Sequence, residues 1–147
     1  MEAAVYKRIL IALEHSPADA TIVEHVRALA GLTHAHLVLV HVADGWVARN
    51  YNQLKLRESE EMQDDRRYLE QLATGLRAGG LDTEWFLGLG DPASEILRIA
   101  VEQHVDLIAM ATHGHRGIED LVRGTTVNKV RHEATVPVLL LKARPVP

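Results

Sequence analysis

The sequence predicts an α/β fold, a parallel sheet covered by helices on both faces. Three observations predict it. Short aliphatic runs recur without the polar alternation of a half-exposed strand, as strands buried on both faces require. Amphipathic helical segments separate each run from the next, and strict strand–helix alternation favours parallel crossovers. Ala, Val, Ile and Leu supply 60 of the 69 apolar residues, whereas Trp, Tyr and Phe together number six. The 147 residues suit one domain, 1–147. A chain of this length buries roughly 68–70% of its unfolded surface and needs no staples.

Arg8-Ile9-Leu10-Ile11-Ala12-Leu13 is the first predicted strand. Ser16-Pro17-Ala18-Asp19 then reads as a helix start. Ser caps, Pro is pre-organised for the first helical position, and the acid reaches back toward the cap. Ile22, Val23, Val26, Leu29 and Ala30 recur at helical spacing until Gly31 ends the pattern. Residues 37–42 form the second strand, and 43–54 lack a period and read as a loop. From about residue 56 to Gly79, Met62, Leu69, Leu72, Ala73 and Leu76 make the apolar face of a charged helix, stopped by Gly79-Gly80. Thr83-Glu84-Trp85-Phe86-Leu87 is the third strand, the least aliphatic, which places it at an edge. Asp91-Pro92 caps a helix carrying Ala93, Ile96, Leu97, Ala100 and Val101. Asp106-Leu107-Ile108-Ala109-Met110 is the fourth strand. A loop through Gly114 and Gly117 precedes a last helix starting near Thr125, and Pro137-Val138-Leu139-Leu140-Leu141 is the fifth strand.

Composition excludes several chemistries. With no cysteine there are no disulfides, thiolate metal sites or cysteine nucleophiles. A net charge of −4 gives no basic excess for nucleic acid. No apolar run approaches the length of a membrane span, and the start Met1-Glu2-Ala3-Ala4-Val5-Tyr6 reads as no signal peptide. A cytoplasmic protein is expected.

In doubly wound sheets, ligands bind beyond the strand C-termini where the strand order reverses. Three loops at strand ends carry small or polar residues. The first is Ala12-Leu13-Glu14-His15-Ser16. The second, Gly88-Leu89-Gly90-Asp91-Pro92-Ala93, matches G-x-G-x-x-A. It follows the third strand instead of the first, and Asp91 would repel a pyrophosphate. It therefore reads as a tight turn and a capped helix. The third runs from Ala111-Thr112-His113-Gly114 through His115-Arg116-Gly117 to Gly124-Thr125-Thr126. Glycine permits close backbone approach, Arg116 offers a charged contact, and a helix opening at Gly124 would favour an anion.

These residues resemble the universal stress protein family over nearly the whole chain. The family signature is G-x-x-G, nine residues, then G-[ST]. Here Ala111-Thr112-His113-Gly114, nine residues and Gly124-Thr125 stand in its place. Asp106-Leu107-Ile108-Ala109-Met110 is similar to the family's D-L-I-V-M strand, and Val136-Pro137-Val138-Leu139-Leu140 to its C-P-V-L-V ending. Arg8-Ile9-Leu10-Ile11-Ala12 and Val40-His41-Val42 are similar to its first two strands.

The resemblance implies the sheet order 3-2-1-4-5. It implies an adenine site at Ala12, Leu13, Glu14 and Val42, and a ribose and phosphate site at Met110, Ala111 and His113. Gly114, Arg116, Gly117, Gly124, Thr125 and Thr126 would hold phosphates. It also implies a homodimer through the last strand, at Val136, Val138, Leu139, Leu140 and Leu141. Ala111 replaces the first signature glycine. Glu14-His15-Ser16 replaces the family's D-[GF]-S, with a bulky His15 where glycine is common.

Nine histidines include the pairs His34/His36 and His113/His115. Neither pair has the further ligands a transition metal wants, so no metal site is expected. Mg²⁺ is expected only with nucleotide phosphates. His41 ends a buried strand, where a backbone partner would satisfy it. No G-x-S-x-G, H-E-x-x-H or P-loop motif occurs, and no catalytic residue is assigned. The function expected is binding of an adenine nucleotide, ATP or AMP, as a switch for association or partner choice. Two readings stand beside it. One is an interaction protein of the same fold with an empty crevice. The other is a hydrolase of a nucleotide or small ester using Ser16, Glu14 and His113.

Overall fold

Aliphatic strands with no polar face must be covered on both sides, and the chain does this with a five-stranded sheet. The computed structural model describes residues 5–43, 60–113 and 117–144. Strands β1 (Arg8–Leu13), β2 (His36–Ala43), β3 (Thr83–Leu89), β4 (Leu107–Thr112) and β5 (Val138–Lys142) pair in the order β3-β2-β1-β4-β5, all parallel. Helices α1 (Asp19–Thr33), α2 (Glu60–Ala78), α3 (Pro92–Glu102) and α4 (Gly117–Glu133) connect them. The predicted alternation and strand order are the observed ones. The predicted loop at 43–54 lies almost wholly outside the described residues, as do Gly114, His115 and Arg116.

The strand period of two divides the core. Ile9, Ile11, Leu37, Leu39 and Ala109 face Ile22 and Val26 of α1 and Leu69 and Ala73 of α2. Leu10, Val38, Val40 and Ile108 face Ile96 and Ile99 of α3 and Val130 of α4. Ile9, Leu10 and Ile11 are each 0% exposed, which is why the central run shows no polar alternation. The edge strands β3 and β5 are mostly half-buried. No helix among the described residues is long and apolar enough to cross a membrane.

Several boundaries differ from expectation; β3 runs to Leu89 and β4 to Thr112, each two residues past the predicted end. Helix α1 runs past Gly31 to Thr33 and is ended by His34 in the left-handed region, φ 58°. The His34 N–H donates to the Ala30 carbonyl at 2.8 Å, so a histidine takes the conformation glycine commonly supplies. At its other end, α1 begins at Asp19. Ser16 sits one turn earlier, where its hydroxyl accepts from the Ala18 N–H at 3.2 Å. Helix α4 begins at Gly117, eight residues before Thr125. Ile118, Leu121 and Val122 follow at helical spacing, and Glu119 and Asp120 suit a first turn.

The G-x-G-x-x-A segment begins as the end of β3 at Gly88 and Leu89, and from Gly90 it is the expected turn and helix cap. Gly90 has φ 115°, which disfavours a side chain there. Asp91 caps α3, accepting from the Ser94 N–H at 2.9 Å and the Ser94 hydroxyl at 2.7 Å. Those bonds, with Lys129 at 3.3 Å, hold its carboxyl below its ordinary 3.8. Asp91→Ala is therefore expected to lower stability at neutral pH by about 1 kcal/mol, read from urea midpoints. A depressed carboxyl stabilises above its unfolded value and loses that contribution as pH falls through the folded one. The wild-type advantage should shrink in acid below 3.8. An advantage that persists there would assign it to something other than the charged cap.

Candidate functional site

The strand order reverses between β1 and β4, and a crevice opens beyond their C-terminal ends. Parallel register sets its floor. Ala12 pairs with Val40 on one side and Met110 on the other, and all three point to the α3–α4 face. Leu13 and Glu14 continue the wall from β1, His41 and Val42 from β2, and Ala111 from β4. Pro92 and Ile96 of α3 and Thr126 and Val127 of α4 close the sides. The volume is about 160 Å³ and the lining is mainly apolar.

Seven predicted residues line this crevice: Ala12, Leu13, Glu14, Val42, Met110, Ala111 and Thr126. His113 stands at its edge, held by Glu14. Thr125 is exposed on α4 and is absent from the lining. Because α4 starts at Gly117, Gly124, Thr125 and Thr126 sit inside a helix, so the expected helix opening at Gly124 is not there. The N–H groups of α4 without an intrahelical partner are those of its first turn, at Gly117. Val40, His41, Pro92, Ile96 and Val127 were not predicted. Val40 was within reach of the argument, since it is two residues from Val42 and so on the same strand face. In the sequence Pro92 marks only a helix start and Ile96 only that helix's apolar residues, because nothing local reveals which sheet face a helix covers.

Glu14 is the polar centre of the rim. His113 Nε2 lies 2.7 Å and 2.6 Å from its two carboxylate oxygens. The Ser16 hydroxyl donates to Oε2 at 3.0 Å. The three side chains of the hydrolase reading do meet, with the carboxylate between the other two. The Ser16 hydroxyl bonds Glu14 and the Ala18 N–H, not His113. A nucleophile needs a base on its own proton, and here that proton points at a carboxylate already paired with an imidazole.

The loop that presents Glu14 is shaped by Asp19, which is 2% exposed. Its carboxylate accepts from the N–H groups of Glu14 and His15 at 2.9 Å and of Ser16 at 3.4 Å. It also accepts from the Tyr68 hydroxyl at 2.6 Å. Burial, this bond and the Asp19 charge push the Tyr68 hydroxyl far above its usual range. His15 has φ 61° and turns its ring onto Tyr68, stacked at 4.2 Å, with Nδ1 2.6 Å from Asp65 Oδ1. The bulk of His15 is therefore turned onto Tyr68 and Asp65 and does not crowd the crevice. His41 has the backbone partner expected for it, the Leu13 carbonyl at 2.8 Å from Nδ1. Among the described residues, no group of three or more His, Asp or Glu side chains is arranged to hold a metal ion.

A doubly wound sheet with a crevice at its switch point defines the class. The chain belongs to the universal stress protein family, whose profile matches residues 5–142. It is similar to universal stress protein MJ0577 of Methanocaldococcus jannaschii, 26% identical across 95% of this chain and 97% of that protein. The solved structure of MJ0577 superposes with a TM-score of 0.78, covering 96% and 99% of the two chains. More distant in sequence is the universal stress protein from Archaeoglobus fulgidus in complex with dAMP, at 19% identity, TM-score 0.67, and 93% and 98% coverage. A universal stress protein in complex with cAMP shares 16% identity, TM-score 0.68, and 95% and 98% coverage.

Asp19→Ala removes the buried acceptor shared by the part-buried N–H donors of the first loop. It is expected to cost about 3 kcal/mol, measured by urea unfolding, since charge-assisted bonds and stranded donors are each worth 1–3 kcal/mol. An unchanged midpoint would show that Asp19 does not hold the loop.

Proposed function

We propose that this chain is a cytoplasmic binding module for an adenine nucleotide, of ATP or AMP type, held in the crevice between β1 and β4. The observation that carries the reading is the crevice floor of Ala12, Val40 and Met110, an apolar slot at the switch point of a family fold. That dAMP and cAMP are bound by proteins of this fold supports adenine as the base. At about 160 Å³ the slot is smaller than the roughly 300–1,000 Å³ that encloses a whole drug-sized ligand. The base is therefore taken to enter while ribose and phosphates stay outside. The N-terminus of α4 at Gly117, with Gly114 and Arg116 before it in sequence, offers backbone N–H groups and a positive charge to phosphates. Thr126 adds a hydroxyl from the lining. Mg²⁺ would arrive only with phosphates, and no catalytic residue is assigned. Binding there would set association or partner choice.

The Glu14–His113 pair favours a second reading, an interaction protein whose crevice is kept closed. That pair ties the end of β1 to the end of β4 across the opening. Calorimetry with ATP, ADP, AMP and cyclic AMP separates the two. Micromolar affinity in the wild type supports nucleotide binding. Heat only in His113→Ala supports the closed crevice, and no heat in either protein overturns the nucleotide reading.

We also propose a homodimer through β5. Val138, Leu139, Leu140 and Leu141 are half-buried on an edge strand, with Val136 beside them, and aliphatic edges need covering. Light scattering at micromolar concentration should give twice the chain mass, and Leu140→Lys should return it to one. A monomeric wild type would rule this out.

A further inference from the structure

On the opposite face of the sheet from the crevice floor lies a polar cluster, built on one buried carboxylate, that the nucleotide reading does not use. Asp65 of α2 is 6% exposed, and its Oδ1 faces two imidazoles. His15 Nδ1 is 2.6 Å away and His41 Nε2 is 3.4 Å away. The other nitrogen of His41, Nδ1, lies 2.8 Å from the Leu13 carbonyl oxygen. A carbonyl only accepts, so that nitrogen carries a hydrogen. Nε2 then has two choices. It carries a second proton toward Asp65, or it turns a lone pair on a buried carboxylate oxygen. The first is attractive and the second repulsive, and low dielectric magnifies both.

The surroundings leave this contrast uncompensated among the described residues. From α1 comes Asp19, turned to the loop amides and Tyr68. From the first loop comes Glu14, paired with His113 of the β4 end. From α2 come Tyr68, stacked on His15, and Asp64, Arg66 and Arg67, which are exposed. From β3, Leu87 stands opposite His41, while Glu84 lies toward the far end of the strand with Arg8 and His36.

We propose that His15, Asp65 and His41 form a proton-operated latch between α2 and the β1–α1 loop. With His41 protonated on both nitrogens, Asp65 grips both imidazoles and the loop is held. When the Nε2 proton leaves to water, lone pairs face each other and the hold of α2 on His15 and Leu13 loosens. Leu13 and His41 also line the crevice, so the latch acts on its wall whatever the crevice binds.

The test is imidazole nitrogen NMR of the ligand-free full chain from about pH 5.5 to 8.5, with amide exchange of Glu14, His15 and Ser16 corrected for intrinsic rates. The expected result is a His41 protonated on both nitrogens at the acid end that loses the Nε2 proton as pH rises. Protection of the loop amides should fall about tenfold over the same interval. Asp65→Asn keeps the shape, removes the charge, and should abolish the pH dependence of protection. If that variant fails to fold, His15→Phe keeps a ring on Tyr68. The loop amides should then cease to follow His41. A His41 with one Nδ1 proton throughout, or amides that do not follow it, overturns the latch. So does saturable Zn²⁺ uptake that moves His15 and His41 together, which would make the cluster a metal site.

Discussion

The functional end of this protein depends on one buried carboxylate. When β1 leaves the sheet, the chain turns within a few residues, and the N–H groups of Glu14, His15 and Ser16 lose their strand partners. Asp19 accepts all three and the Tyr68 hydroxyl besides. His15 is held in the left-handed region, which costs a non-glycine residue about 1–3 kcal/mol. Charge-assisted bonds of about 1.5–3 kcal/mol each offset that cost. The family's more common glycine at this position would need less help. In this chain Asp19, Tyr68 and Asp65 supply it, and they form a network in return.

That network and the crevice lie on opposite faces of one sheet. The strand period of two puts Ala12, Val40 and Met110 on the α3–α4 side, and it turns the His41 ring toward α2. The two sides meet at the Leu13 carbonyl, which caps His41 while its residue lines the crevice. Glu14 joins the system from the rim, where Ser16 orients it and His113 pairs with it. The crevice wall is thus made of groups whose hydrogen bonds are satisfied behind it. Family membership accounts for the sheet and the switch point.

Strands were legible because burial on both faces leaves an unbroken aliphatic run that few other structures would tolerate. Helix α2 was legible because Met62, Leu69, Ala73 and Leu76 repeat at one period. The start of α4 was misplaced because Gly124-Thr125-Thr126 looks like an opening, whereas a helix that is packed elsewhere can run through a glycine at modest cost. The end of α1 was misplaced for the converse reason. Gly31 was the obvious stop, yet His34 adopts the left-handed turn with two N–H groups, its own and that of Ala35, bonded to the Ala30 carbonyl.

The sequence alone determined the fold class, the order of elements and the strand ends where the crevice lies, since hydrophobic period and turn chemistry are local properties. Only the tertiary structure decided that Asp65 is buried, that His15 turns away from the crevice, and that Glu14 meets His113 across 99 residues of chain. The physical reason is distance in sequence. An aspartate on a charged helix looks solvated until another strand brings two imidazoles to it, and no local pattern records which groups the sheet will place face to face.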